Sequence, residues 1–304
     1  MDKDLIKLYI SFRENIFRII QLKERNRPLT KYQKPFREIR KVLFSYETFP
    51  PQIKGKLQQL NTQMTIIKSL LDLFTTQHLS NEEFQKILNG ENGIVFFDTF
   101  EQTKTTLLAE DKQIMQLLHI RKLNIDSLLG ENREFADIAI VDTNFIAELR
   151  SHFLKGVKDE FVVEKTIDIM YPPQVLAEIK GKQTSFVSSS FIRKLCNQAP
   201  FVPNVVSFYQ TNICNAWCET KKGKKEIKKR KSREEAINYF IKTADFAILH
   251  KAIEISMKQK IIILSTDTDF VQTIEVLKIN LNHPAFLSNI RQIGISGKKL
   301  KLVA

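Results

Sequence analysis

The sequence predicts a chain in two parts, an all-helical region over residues 1–130 followed by an α/β domain with a parallel central sheet over residues 135–304. Three observations carry this. Apolar residues recur at helical spacing throughout the first part. From about residue 135 short apolar runs alternate with helical patterns, which implies crossover connections between parallel strands. Two of those runs, "IAIV" and "IIIL", lead into polar stretches that begin or centre on aspartate.

In the first part, Leu5, Leu8, Phe12, Ile16, Ile19 and Ile20 form one apolar stripe. Leu57, Leu60, Met64, Ile67, Leu71 and Phe74 alternate threes and fours, the spacing of one helix packed along its length against another. "SNEE" at 80–83 is a capping box ahead of Phe84, Ile87 and Leu88. "FPPQ" (49–52) and "NGENG" (89–93) are natural breaks. No chemical constellation occurs here, so these stripes read as a helical-bundle core, with a protein-partner or self-association surface as the alternative.

In the second part, "IAIV" (138–141) and "IDIM" (167–170) read as strands, and a helix starts after Pro172-Pro173. One long helix is predicted from about Glu234 to Lys258, leading into "IIIL" (261–264), and "QIGIS" (292–296) supplies a late strand. The uninterrupted aliphatic run of "IIIL" suits a strand buried on both faces.

No apolar stretch approaches the roughly 20 residues of a membrane span, so no membrane role is expected. "MDKDLIKLYISF" has no signal-peptide cleavage pattern. The cysteines Cys196, Cys214 and Cys218 are too few for a disulfide framework, which points to an intracellular, cytoplasmic protein. "CNAWC" has no second Cys/His pair to complete a zinc site.

The formal net charge of +13 is concentrated. "KKGKKEIKKRKSR", residues 221–233, carries nine basic residues against one Glu, or +8, leaving +5 for the rest of the chain. Self-repulsion predicts an extended, solvated insertion at about 219–234. Lys221, Lys222, Lys224, Lys225, Lys228, Lys229, Arg230, Lys231 and Arg233 are the candidate nucleic-acid contacts, since each can displace a counterion from a phosphate backbone. In a nucleated cell the same run would serve as a nuclear-localisation signal.

The chemistry lies in the acids. Asp142 closes "IAIV" and Asp267 follows "IIIL", so parallel neighbouring strands would bring them to one edge of the sheet, where open α/β sheets bind ligands. Asp245 falls among Ile241, Ile248 and Leu249 on the apolar side of the predicted long helix, a placement that asks for a positive partner. Glu178 lies at the margin of the apolar side of the short helix after Pro172-Pro173. Converging carboxylates repel unless a cation sits among them. Their hard oxygen donors suit Mg²⁺ or Mn²⁺, which can drive in-line phosphoryl displacement.

At these residues the chain resembles the PIN-domain nucleases. "IVDTN", then "VLAEIK", then "TADFAILHKA", then "LSTDTDF" follow that family's succession of acids over residues 135–300. The resemblance implies a three-layer PIN-like fold around a five-stranded parallel sheet, and metal-dependent endoribonuclease activity on single-stranded RNA. It assigns the catalytic, metal-binding acids to Asp142, Glu178, Asp245 and Asp267, with Asp269 as a further metal ligand, and supporting roles to Thr143, Asn144, Ser265 and Thr266. RNA is favoured over DNA on this ground alone. Two features depart from the family: the long interval between Glu178 and Asp245, which holds the basic run, and the helical N-terminal part.

Two rivals remain. "DTD" also resembles the aspartate pair of haloacid-dehalogenase-type phosphatases, but only 34 residues follow Phe270, too few for the rest of that sheet. The other is a catalytically inactive PIN-like scaffold that binds nucleic acid or protein. The sequence expectation is the metal-dependent nuclease.

Overall fold

The computed structural model of the chain describes residues 3–77, 79–157, 160–181, 187–199, 207–296 and 299–303. Two compact units emerge, Met1–Arg121 with Glu160–Val162, and Lys122–Asp159 with Val163–Ala304. The helical unit therefore ends nearer residue 121 than 130. Among the described residues no helix is long and apolar enough to cross a membrane.

The first unit consists of α1 (Lys3–Glu24), α2 (Gln33–Phe44), α3 (Pro51–Leu57), α4 (Leu60–Thr76), α5 (Asn81–Asn89) and α6 (Glu91–Leu117). The stripe from Leu57 to Phe74 runs across two helices rather than one, because a turn at Gln58-Gln59 separates α3 from α4. Leu57 and Leu60 both remain buried across that break. Ser80 caps α5 in a full capping box with Glu83. Around Phe74, Phe36 stacks at 5.9 Å while Phe84 and Phe96 meet it edge-on at 5.3 Å each. One buried polar knot ties α1 to α6. Arg13 donates from Nε and NH2 to Asp111 at 2.9 and 3.0 Å, and the Tyr9 hydroxyl donates to the same carboxylate at 2.6 Å. Every member of the knot is partnered, the condition under which a buried ion pair is tolerated.

β1 (Arg121–Asn124) and β3 (Phe161–Glu164) form a two-stranded sheet, and α7 (Ile125–Leu129) follows β1. The main sheet has six strands in the order β5 (Asn197–Gln198), β4 (Asp168–Tyr171), β2 (Ile138–Val141), β6 (Ile261–Leu264), β7 (Ile290–Ser296), β8 (Lys299–Leu302). The first five run parallel and β8 pairs antiparallel with β7 at the edge. The unit is thus mixed α/β with a largely parallel sheet. In chain order the parallel strands lie third, second, first, fourth, fifth, so the direction of winding reverses between β2 and β6. That reversal is where open α/β sheets leave a crevice for ligands.

The connecting helices are α8 (Thr143–Phe153), α9 (Pro173–Gly181), α10 (Ser189–Leu195), α11 (Ser207–Glu219), α12 (Lys221–Arg230), α13 (Arg233–Phe240), α14 (Ala244–Ser256) and α15 (Asp269–Asn280). Three expectations change here. The strand expected at 167–170 lies one residue later, at Asp168–Tyr171.

The long helix from Glu234 to Lys258 is broken into α13 and α14, because Thr243 turns to cap the second helix. α14 is buried on nearly all sides, against β2, β6, β7, α9 and α11, so its apolar residues do not form a single stripe.

The basic run, expected to be extended, is helical. Thr220 caps α12, Glu226 pairs with Lys229 and Arg230, and Arg230 lies 3.9 Å over the Tyr239 ring. These contacts spread the positive charge over partners and offset its self-repulsion.

Candidate metal and phosphoryl-transfer site

Register places the first two acids. Val141 is opposite Leu264, and the ladder continues one step as the Asp142 amide donates to the Leu264 carbonyl at 3.0 Å. Asp142 and Asp267 therefore do leave the sheet at the same edge, at the reversal between β2 and β6. Asp142 is 2% exposed and caps α8. One of its oxygens accepts from the Thr143 amide at 2.6 Å and the other from the Ser265 hydroxyl at 2.9 Å. Ser265 Oγ in turn accepts from the Asp267 amide at 3.0 Å, so one serine ties the two strand exits together.

The break before α14 supplies the next two acids. Thr243 accepts from the Phe246 amide and donates to the Phe240 carbonyl, opening a new helix N-terminus. Glu178 reaches that end from α9. Its Oε1 accepts from the Ala244 amide at 3.3 Å and its Oε2 from the Thr143 hydroxyl at 3.0 Å. Asp245 sits in the same first turn. A helix N-terminus favours negative charge, which is why two acids are tolerated here.

The positive partner that Asp245 calls for is Lys222. Its ammonium lies 2.8 Å from Asp245, 2.9 Å from Asp267 and 3.3 Å from Asp269. Lys222, one of the candidate nucleic-acid contacts, thus sits inside the acid cluster. The reason lies at the base of α12. A Cβ on Gly223 would stand 2.0 Å from the Trp217 carbonyl oxygen, so only glycine lets the helix start this close to α11. Trp217 itself is fixed by stacking on Phe240 at 4.1 Å.

The electrostatics follow from this crowding. Burial, reinforced by the charges of Asp245 and Glu178, lifts the Asp142 carboxyl to about 7 against the pull of Ser265 and Thr143. Burial raises Asp245 as well, although Lys222 opposes it. Asp269 is raised by burial and by the charge of Asp267. Asp267 moves the other way: burial pushes it up, but the Asp269 amide and Lys222 outweigh that and hold it below the carboxylate range. Burial favours neutral Lys222, yet Asp245 and Asp267 outweigh it and raise the ammonium above its ordinary value. Trp217, Phe240, Leu249 and Phe270 line a narrow crevice beside Asp245 and Asp269 and form an apolar wall on that side.

Other expected participants lie differently. Asn144 is exposed on α8. Thr266 donates to Glu148 at 3.1 Å, so the threonine engages an acid outside the predicted set. Of the basic residues, Lys224 pairs with Glu219, and Arg233 donates to Asn215. Lys221, Lys225, Lys228 and Lys231 are exposed.

One supporting residue was missed. Buried Gln292 on β7 donates to the carbonyls of both Ser265 and Asp267, at 2.9 and 2.7 Å, and clamps the β6 exit. A polar residue inside an apolar run, as in "QIGIS", was the available signal. Gly294 completes the clamp, since its missing Cβ would lie 3.1 Å from the Ser265 carbonyl oxygen.

The donors are all carboxylate oxygens, a set that suits Mg²⁺ or Mn²⁺. A cation, the Lys222 ammonium, already sits among three of them. Among the described residues, however, no group of three or more His, Cys, Asp or Glu side chains is arranged to hold a metal ion. The cluster closes around lysine. No family model matches the chain, and no curated protein or solved structure matches it either.

Proposed function

We propose that the protein is a metal-dependent endonuclease of PIN-like organisation, cutting phosphodiester bonds in single-stranded RNA. The single observation that carries this is the gathering of Asp142, Glu178, Asp245, Asp267 and Asp269 at the strand-order reversal. Mg²⁺ or Mn²⁺, when bound, would supply Lewis acidity and an activated water for in-line displacement. Asp142, Glu178 and Asp245 would have to draw together to hold the ion, since no three acids among the described residues are arranged around one. Ser265 and the Thr143 amide keep the Asp142 carboxylate aimed, and the α14 N-terminus does the same for Glu178. Lys222 holds Asp245, Asp267 and Asp269 together against their repulsion. The exposed lysines of α12, a few residues from Lys222, would draw the phosphate backbone towards the acids. The preference for RNA rests on the resemblance of the four motifs.

One observation favours a second reading, a catalytically silent scaffold that binds nucleic acid. The Lys222 ammonium itself neutralises part of the cluster. Labelled single-stranded RNA separates the two. A nuclease degrades it with Mn²⁺, stops with chelator, and loses at least about 100-fold in rate as Asp142→Asn or Asp267→Asn, an effect of the size seen when charge-stabilising groups are removed. RNA that stays intact but bound in every condition would leave the scaffold.

A further inference from the structure

The basic residues of α12 form an ordered row. At 100° per residue, Lys222, Lys225 and Lys229 lie within about 60° of one another, a ridge that starts in the acid cluster. It leads to Arg230, about 12 Å further along the helix axis. Arg230 is held differently from the exposed Lys225 and Lys229. Its Nε donates to Glu226 at 3.2 Å, and its guanidinium lies 3.9 Å over the ring of Tyr239 on α13. Among the described Phe, Tyr and Trp side chains of this unit, Tyr239 alone is exposed, at 42%. The next ring, Phe240, is buried and stacks on Trp217. Core packing is served by Phe240 and does not call for an aromatic at 239.

Resting on the reading above that α12 draws in single-stranded RNA, we propose that Arg230 and Tyr239 form a base-stacking platform, which holds an unpaired base while the lysine ridge holds its phosphates. Backbone charge is a poor guide to strandedness, since single strands and duplexes both present phosphates. A flat, exposed ring does discriminate, because the faces of paired bases are covered by their neighbours in the duplex. The guanidinium adds a cation–π attraction to the stack. Its bond to Glu226 fixes it in advance, so less side-chain freedom is lost on binding. A strand that follows the ridge from the platform arrives at the acids. Every base has such a face, so the platform selects single strands without selecting sequence.

Full-length wild type, Tyr239→Ala and Tyr239→Phe are titrated with labelled oligouridine in chelator, so that nothing is cut, and binding is read by fluorescence anisotropy. Inorganic polyphosphate and an RNA duplex serve as competitors, and circular dichroism follows folding. Tyr239→Ala should bind oligouridine at least about 5-fold more weakly with its salt slope unchanged, while Tyr239→Phe matches the wild type. Polyphosphate and duplex offer no free base face and should bind all three proteins alike. Wild-type affinity in Tyr239→Ala would overturn the proposal. A loss shared with polyphosphate would overturn it too, since charge or folding would then be the cause. Tyr239→Phe as weak as Tyr239→Ala would assign the effect to the hydroxyl and not to the ring face. None of these three outcomes touches the nuclease reading, which is decided by whether the wild type cuts RNA with Mn²⁺. A wild type that does not bind oligouridine would remove the platform together with α12 as the RNA contact.

Discussion

Asp142 has both carboxylate oxygens in hydrogen bonds and yet is pushed up to about 7, because burial and two neighbouring acids outweigh Ser265 and Thr143. The sign of its effect on stability follows. Its folded value lies above the unfolded 3.8, so the metal-free native state binds the proton more tightly. Asp142 therefore lowers stability as pH rises from about 4 to about 7, and the loss is complete above that. Asp142→Asn removes this penalty. In chelator, urea unfolding should show the variant gaining on the wild type between pH 5 and pH 8. An unchanged difference between the two proteins across that range would show that Asp142 titrates normally. Binding of a divalent ion calls for the ionised carboxylate, so Mn²⁺ affinity should rise over the same interval.

At the level of elements, the site depends on where helices begin. α14 begins at Ala244 because Thr243 caps it, and that start creates the amide that meets Glu178 and the first turn that carries Asp245. Thr243→Ala should cost about 1 kcal/mol of stability, the usual worth of a cap, and should weaken Mn²⁺ binding as Glu178 loses its anchor. Thr243→Ser should restore both. A variant with lost stability but unchanged Mn²⁺ affinity would detach the cap from the site. α12 follows the same logic at its own N-terminus, where Thr220 and Gly223 decide which lysine meets the acids.

For the whole molecule, strand order brings acids from four separate stretches of chain to one crevice, and α12 sets its exposed lysines next to it in sequence. Single-stranded nucleic acid contributes a salt slope of about 0.7 per phosphate neutralised. Lys225→Gln, Lys228→Gln and Lys231→Gln together should reduce the slope of log affinity against log salt by about 2. Binding should weaken equally for unrelated RNA sequences, as measured by fluorescence anisotropy. A slope equal to that of the wild type would exclude α12 as the backbone contact. In the helical unit the buried Arg13–Asp111–Tyr9 knot joins the first and last helices within a large apolar core.

Local pattern alone was sufficient for the strands "IAIV" and "IIIL", the capping box at Ser80 and the candidate acids, because periodicity, capping and strand-end position depend on near neighbours in the chain. The common edge of Asp142 and Asp267 could be expected as soon as the strands were taken as parallel neighbours. Gln292 was visible as an anomaly but not as a clamp, since the carbonyls it holds belong to another strand. The break at Thr243 was obscured by apolar residues on both sides that read as one continuous helix. Nine basic residues within a stretch of thirteen look alike in sequence, and composition could not single out Lys222. Its selection depends on Gly223 fitting against Trp217 and on three carboxylates lying within reach of one ammonium. The sequence by itself determined which groups carry charge and which stretches must be buried. The tertiary structure alone decided which charges meet, because Coulomb energy depends on distance and burial, and both are set by packing between segments far apart in the chain.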